Sequence, residues 1–235
     1  MNHGEDITGF PPLLAKAPNR KRKGFNFLAP AYDLLVRLVF GKRLRKAQGY
    51  WLSHLPPANQ ILVLGVGTGS FLRDLEQHSK WGKVYCVDLS DSMIAASRKV
   101  IATEFPERLS NYNFLCGTVT DIPPGILFDL VITPFVLDCL QGEDLLRTMQ
   151  ALRQRLNPFG KWLFTDFHIP TKGFARAAGA LLLRLLYVFF NTVCGLGIRR
   201  LPEFSVFFAS CGMIAEEEKY FFQGLLTSRI YVPLQ

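Results

Sequence analysis

Ile61-Leu62-Val63-Leu64-Gly65-Val66-Gly67-Thr68-Gly69-Ser70 decides the fold. Four apolar residues stopped by a glycine read as a short buried strand. Phe71, Leu72 and Leu75 then open a stripe at helical spacing, so the unit is strand, glycine loop, helix. Glycines in such a turn permit unusual backbone angles and let a ligand approach where a Cβ would collide. Their spacing here is GxGxG, at 65, 67 and 69. A nicotinamide or flavin fingerprint would place its third glycine at position 70, where Ser70 stands, and no lysine follows as a P-loop requires.

The alternation repeats outward from this unit. Val84-Tyr85-Cys86-Val87 precedes a helix from Met93 to Val100; Phe114-Leu115-Cys116 and Leu130-Val131-Ile132 are two further strands. A helix carrying Leu145, Leu146, Met149, Leu152 and Leu156 is expected to end at Asn157-Pro158-Phe159-Gly160, with a fifth strand at Trp162-Leu163-Phe164-Thr165. Short apolar runs separated by helices predict an α/β fold, a Rossmann-like doubly wound, mostly parallel sheet covered on both faces. Ile214 to Phe222 and Leu225 to Val232 add a C-terminal antiparallel hairpin, making seven strands. Pro202 to Cys211 reads as a short helix closed by Gly212.

Upstream, apolar positions Leu34, Leu35, Leu38 and Val39 predict a leading helix from Tyr32 to about Leu52, and residues 1–24 read as a basic mobile arm. The expected organisation is that arm followed by one domain over 25–235, with a helical cap insertion at about 174–200. The cap is the apolar run from Ala177 to Ile198. A membrane span needs about 20 apolar residues, and Arg184 within it would cost roughly 2.5–3.5 kcal/mol. A cap is therefore favoured over a span, and shallow membrane docking stays open.

The 235 residues are 49% hydrophobic and 20% charged, enough apolar material for one core, and the formal charge is +8. Nine of the 27 lysines and arginines fall between Arg20 and Lys46, which suits either a solvated face or an anionic partner such as lipid headgroups or nucleic acid. Five scattered cysteines without a CxxC pair argue against disulfides and zinc, so no metal is expected, and they fit a reducing cytoplasm. The amino terminus lacks the basic and apolar regions of a secretory signal.

Ligands of such sheets sit beyond the carboxyl ends of the strands. Asp88 ends the second strand, 19 residues after Gly69, where a carboxylate can accept hydrogen bonds from both ribose hydroxyls. It could instead cap the next helix, although Ser90 and Asp91 are better placed for that. Ile61 to Ser70, Val84 to Ser90 with Met93 and Ala96, Phe128-Asp129-Leu130-Val131 and Leu156 to Leu163 together resemble class I S-adenosylmethionine-dependent methyltransferases. Ala31-Tyr32-Asp33 is similar to the leading helix of the ubiquinone and menaquinone biosynthesis branch and related small-molecule methyltransferases.

The resemblance implies that Gly65, Val66, Gly67 and Gly69 face the methionyl and adenosyl parts of S-adenosyl-L-methionine. Asp88 would hold the ribose and Leu89 border the adenine, with Met93 and Thr133 completing the pocket and Tyr32 reaching it from the leading helix. There are two departures. Leu64 stands where many members carry an acid before the first glycine. Thr118 stands at the usual acidic adenine contact, leaving Thr118 or the Val119 backbone for the base, with Asp121 nearby.

The family's reaction is an in-line attack on the sulfonium methyl, so the protein supplies mainly alignment and exclusion of water. For an acidic acceptor a general base helps, and Asp166, His168 and Asp138 are the catalytic candidates because they follow strands on the ligand side. The apolar cap, with Phe135, Phe204, Phe207, Phe208, Phe221 and Phe222, predicts a small apolar or aromatic acceptor, quinone-like or lipid-like. Nucleic acid is disfavoured because the basic and aromatic clusters lie at opposite ends of the chain. The alternatives are a nicotinamide-dependent oxidoreductase and a degenerate Rossmann-like module that binds a membrane or a partner. The expected location is cytoplasmic, with peripheral contact to an anionic membrane left open.

Overall fold

The quoted strand is β1 (Ala58–Leu64), and it lies third in a seven-stranded sheet. The others are β2 (Trp81–Asp88), β3 (Tyr112–Cys116), β4 (Phe128–Pro134), β5 (Leu156–Phe167), β6 (Met213–Phe221) and β7 (Leu226–Pro233). Their spatial order is β3-β2-β1-β4-β5-β7-β6. β1 pairs in parallel with β2 and β4, β2 with β3, and β4 with β5. β7 inserts antiparallel between β5 and β6. The doubly wound sheet and its terminal hairpin therefore stand as the alternation predicts. The computed structural model describes residues 40–78, 81–170, 174–194, 198 and 200–234, so the basic arm and Tyr32 lie outside the described residues.

Alternation along β1 sorts the core into two layers. Ile61 and Val63 pack with Leu72 and Leu75 of α2 (Ser70–Gln77) and Ile101 of α3 (Asp91–Glu104). Leu62 and Leu64 face the opposite layer, with Leu145, Met149 and Leu152 of α4 (Gly142–Arg155) and Phe204 and Phe208 of α6 (Phe204–Ser210). A third cluster joins Leu44 and Ala47 of α1 (Arg43–Gly49) to Leu183, Leu186 and Tyr187 of α5 (Phe174–Cys194). α5 occupies the segment expected as a cap, and no helix among the described residues is long and apolar enough to cross a membrane.

Two boundaries differ from the sequence expectation. Within the described residues the leading helix covers only Arg43–Gly49 and gives way to a turn, in which His54 and Leu55 N–H both donate to the Trp51 carbonyl. Leu156 is the first residue of β5 rather than the last of α4, and Asn157 to Gly160 run inside the strand. Pro158 cannot continue a helix and is tolerated near the start of a strand. Arg155 fixes the crossover by donating to the Pro123 and Ile122 carbonyls at 2.7 and 2.9 Å. The β4–β5 register then slips between Phe128 and Leu130.

Several buried polar groups in the core are paired. Glu76 accepts from the Arg108 Nε at 2.9 Å and from the Tyr112 hydroxyl at 2.6 Å. Each of the three tryptophans donates its indole N–H inside the fold: Trp51 to the Ser228 carbonyl, Trp81 to the Leu75 carbonyl and Trp162 to the Thr133 hydroxyl.

Candidate active site

The sheet reverses winding between β1 and β4, and the loops that leave these strands meet there. This is the switch point at which open α/β sheets take ligands. Gly65, Gly67 and Gly69 all have positive φ, at 76°, 57° and 84°, but they do different things. A Cβ on Gly65 would lie 2.6 Å from the Val136 Cβ, so this glycine lets the β1 and β4 loops touch. A Cβ on Gly69 would lie 2.7 Å from the Ser97 Cα, so that glycine seats the loop on α3. A Cβ on Gly67 would meet nothing within 4 Å. The middle glycine thus borders open space, which is the property a ligand cradle needs.

Asp88 stands beside that space. Its Oδ2 accepts from the Gly67 N–H at 3.1 Å and its Oδ1 from the Ser90 N–H at 2.9 Å. Burial pushes its pKa up, and the hydrogen bonds from the Ser90 and Gly67 N–H groups oppose the rise. The α3 cap is Ser90, whose hydroxyl accepts from the Met93 N–H at 3.3 Å, so Asp88 is not tied up as the helix cap. Met93 is buried on the first turn of α3, and Val66 is buried in the glycine loop. Leu89 is half-buried and follows Asp88 directly.

After β3, the Thr118 N–H and hydroxyl both donate to Asp121 Oδ2, at 2.7 and 2.9 Å. This closes a capping box around the turn that carries the buried Val119. Asp121 therefore shapes this loop rather than standing free beside it. Thr133 is placed differently from its expected role: it is fully buried in β4 and its hydroxyl holds the Trp162 indole at 2.9 Å.

Asp138 and Asp166 come together at the ends of β4 and β5. Asp166 accepts from the Phe167 N–H at 2.8 Å and from the Asp138 N–H at 3.2 Å, so its carboxylate anchors the turn that bears Asp138. Both are buried. Burial pushes Asp138 up to about 6, and burial together with the Asp138 charge pushes Asp166 well up. Two carboxylates in one dry site cannot both ionise cheaply, so the pair retains a proton to higher pH than either would alone.

His168 joins this end of the sheet differently. Its Nδ1 lies 2.7 Å from the Gly224 carbonyl, so Nδ1 carries the proton and donates it, and its own N–H bonds the Leu225 carbonyl. It holds the turn between β6 and β7.

Tyr187 is the residue that sequence reasoning misses. It lies on the inner face of α5, 6% exposed, with a hydroxyl that has no hydrogen-bond partner among the described residues. Burial and the nearby Asp138 and Asp166 charges push its pKa upward. An apolar stripe hides it, since tyrosine at that helical position reads as packing. The six expected phenylalanines divide between two places. Phe204, Phe207 and Phe208 pack in the α4 and α6 layer, while Phe135, Phe221 and Phe222 join the cluster beneath α5.

The comparisons agree with this geometry. Residues 61–160 match a family model described as a methyltransferase domain. The chain is 28% identical over 170 residues to the ubiquinone/menaquinone biosynthesis C-methyltransferase UbiE of Hydrogenovibrio crunogenus, covering 68% of this chain and 63% of that protein. It is 28% identical over 156 residues to the 2-phytyl-1,4-naphtoquinone methyltransferase of Trichormus variabilis, covering 65% and 66%. The chain thus spans just under two thirds of these relatives. Its fold is that of the N-methyltransferase NodS from Bradyrhizobium japonicum, solved with S-adenosyl-l-homocysteine, at TM-score 0.67 and 16% identity over 92% of this chain and all of that one. The chain thus carries a match to a methyltransferase domain over residues 61–160, is similar to quinone methyltransferases, and shares the fold of an N-methyltransferase solved with S-adenosyl-l-homocysteine.

Proposed function

We propose that the protein transfers a methyl group from S-adenosylmethionine to a small apolar or aromatic acceptor of quinone-like character. The observation that carries this reading is the open side of Gly67 at the switch point, with the Asp88 carboxylate fixed beside it. Gly65 and Gly69 set the loop, Gly67 leaves the passage, and Asp88 still offers lone pairs to vicinal hydroxyls of a ribose. Val66, Leu89, Met93 and Val119 supply the apolar surround. The chemistry that the cofactor brings when bound is a methyl group on an already electrophilic sulfonium.

The chain's part is alignment, exclusion of water and proton handling. Asp138, half of a buried pair, is suited to accept the proton of a phenol or an acidic carbon, with Asp166 holding its turn in place. Tyr187 of α5 lies near the same pair, and its hydroxyl, unpartnered among the described residues, is a donor that a carbonyl oxygen of the acceptor can take. The apolar cluster beneath α5 suits the rest of such a molecule.

The test is calorimetric titration with S-adenosylmethionine, S-adenosylhomocysteine, NAD and NADP, followed by methyl transfer to a demethylated quinone. Binding of the two sulfur nucleosides and radiolabel transfer to the quinone are expected. Binding of the nicotinamides alone would replace this reading with the oxidoreductase. Binding of none would favour the degenerate module, which Leu64 and the closed Thr118–Asp121 loop already suggest.

A further inference from the structure

α5 is apolar on two opposite sides. Its inner side holds Gly179, Leu183, Leu186 and Tyr187, all buried. A Cβ on Gly179 would overlap the Leu225 side chain, so the helix lies hard against the hairpin. At about 100° per residue, Leu181, Leu185 and Val188 fall within roughly 60° of arc on the outer side. They are 60%, 59% and 57% exposed. A helix that is apolar all round is normally buried, and this one leaves a continuous outer stripe in the open.

The two segments that supply α1 and α5 carry charge of one sign. Residues 34–73 contain Arg37, Lys42, Arg43, Arg45, Lys46 and Arg73, and residues 167–202 contain Lys172, Arg176, Arg184, Arg199 and Arg200. These two segments hold eleven of the 27 lysines and arginines and none of the 19 acids. They supply α1 and α5, which cover the same apolar cluster. Arg45 and Arg73 are paired with Asp74 and Glu104, whereas Lys42, Arg43, Lys46, Arg184 and Arg200 are exposed on the described surface. Between α1 and the β6–β7 turn, a cleft of about 230 Å³ is lined by Arg43, Lys46, Phe221 and Phe222. Arg43 lies 4.5 Å from the centre of the Phe222 ring.

We infer that the outer face of α5 is a docking surface for an anionic lipid bilayer. Leu181, Leu185 and Val188 would enter the headgroup boundary, and the basic residues of α1 and α5 would meet lipid phosphates. The helix is not long and apolar enough to span, so it lies in the plane of the interface. Charge complementarity selects the occupant: an apolar stripe alone fits a second copy or another protein, but the exposed Lys42, Arg43, Lys46, Arg184 and Arg200 on segments that contribute no acid fit anionic lipid. The inference goes beyond the acceptor reading, because the stripe points away from the site and binding is read without turnover.

The experiment is co-sedimentation of the full chain with phosphatidylcholine vesicles, with and without phosphatidylglycerol. The unmodified protein is expected to sediment with the anionic vesicles and to be released by salt. The combined variant Leu181→Ser, Leu185→Ser, Val188→Ser is expected to lose at least about tenfold in vesicle affinity, because three side chains no longer leave water. Its S-adenosylhomocysteine affinity and melting temperature should stay unchanged. A second variant, Lys42→Gln, Lys46→Gln, Arg184→Gln, keeps the stripe and should lose the preference for phosphatidylglycerol. Equal sedimentation of parent and both variants would overturn the proposal, as would conversion of a stable dimer to monomer by the serine variant. Loss of cofactor binding by the parent would instead sink the methyl-transfer reading and leave the vesicle result standing.

Discussion

The Asp88 carboxylate accepts a hydrogen bond from the Gly67 N–H at 3.1 Å, so the acid at the end of β2 and the middle glycine of the β1 loop form one unit. Asp88→Ala removes both the contact that sets the loop and the acceptor for a ribose. Cofactor binding should weaken by about 1.5–3 kcal/mol, the range for hydrogen bonds to a charged group. Titration with S-adenosylhomocysteine checks this, and an unchanged affinity in a folded variant would take Asp88 out of the site. Because burial pushes the Asp88 pKa up, affinity should fall on acidification at a higher pH than for an exposed carboxylate.

Gly67→Ala and Gly69→Ala should separate binding from folding. At position 67 the new methyl meets no atom of the protein, so the fold loses only the roughly 1–2 kcal/mol of a left-handed non-glycine residue, while cofactor affinity drops. At position 69 the methyl runs into the Ser97 backbone, and overpacking adds about 1–3 kcal/mol. Melting curves and ligand titrations on both variants decide the matter. Normal binding by Gly67→Ala would show that the open side of the loop is not the cradle.

The acid pair predicts a pH dependence with a definite sign. Asp138 rises from 3.8 to about 6 on folding, so between those values the native state holds a proton that the unfolded chain releases. Its contribution to stability is full below about pH 4 and is lost as pH rises through about 6. Asp138→Asn should flatten that part of the stability curve and raise stability near pH 8 by roughly 1–3 kcal/mol, while lowering turnover on an acidic acceptor. Denaturant titrations across this range supply the test, and parallel curves for parent and variant would contradict it.

Glu76 offers a test of the fold alone. Arg108→Ala leaves a buried carboxylate with, among the described residues, only the Tyr112 hydroxyl as partner, and the loss should reach about 2–4 kcal/mol. Tyr112→Phe should cost less, about 1 kcal/mol. Combining Arg108→Met with Glu76→Gln should recover much of the first loss, as followed by denaturant unfolding.

Much of this architecture is legible in the residues because local and global signals agree. Ile61 to Ser70 is a strand, turn and helix by pattern, and the turn closes on its neighbours through the same glycines that the pattern contains. Leu156 is misread because it completes a helical stripe with Met149 and Leu152, and only its pairing with Phe128 in β4 draws it into a strand. The position of Asp138 and Asp166 after strands is readable, but their shared burial depends on a turn whose backbone one of them holds. Thr133 follows its strand as a site residue should, yet the indole of Trp162, 29 residues away, claims it. The Tyr187 hydroxyl has no sequence signal at all, since its isolation is a property of the packed cap.

The three indole donors have a practical corollary in emission. Trp51, Trp81 and Trp162 are buried at 8%, 4% and 0% exposure, in the turn after α1, at the start of β2 and in the middle of β5. None belongs to the glycine loop or to the turn that carries Asp138. Intrinsic fluorescence therefore watches the sheet from three depths: a red shift marks unfolding, and nucleoside binding at the switch point proceeds without direct ring contact. A ligand that does change the tryptophan spectrum reports a movement transmitted through the sheet.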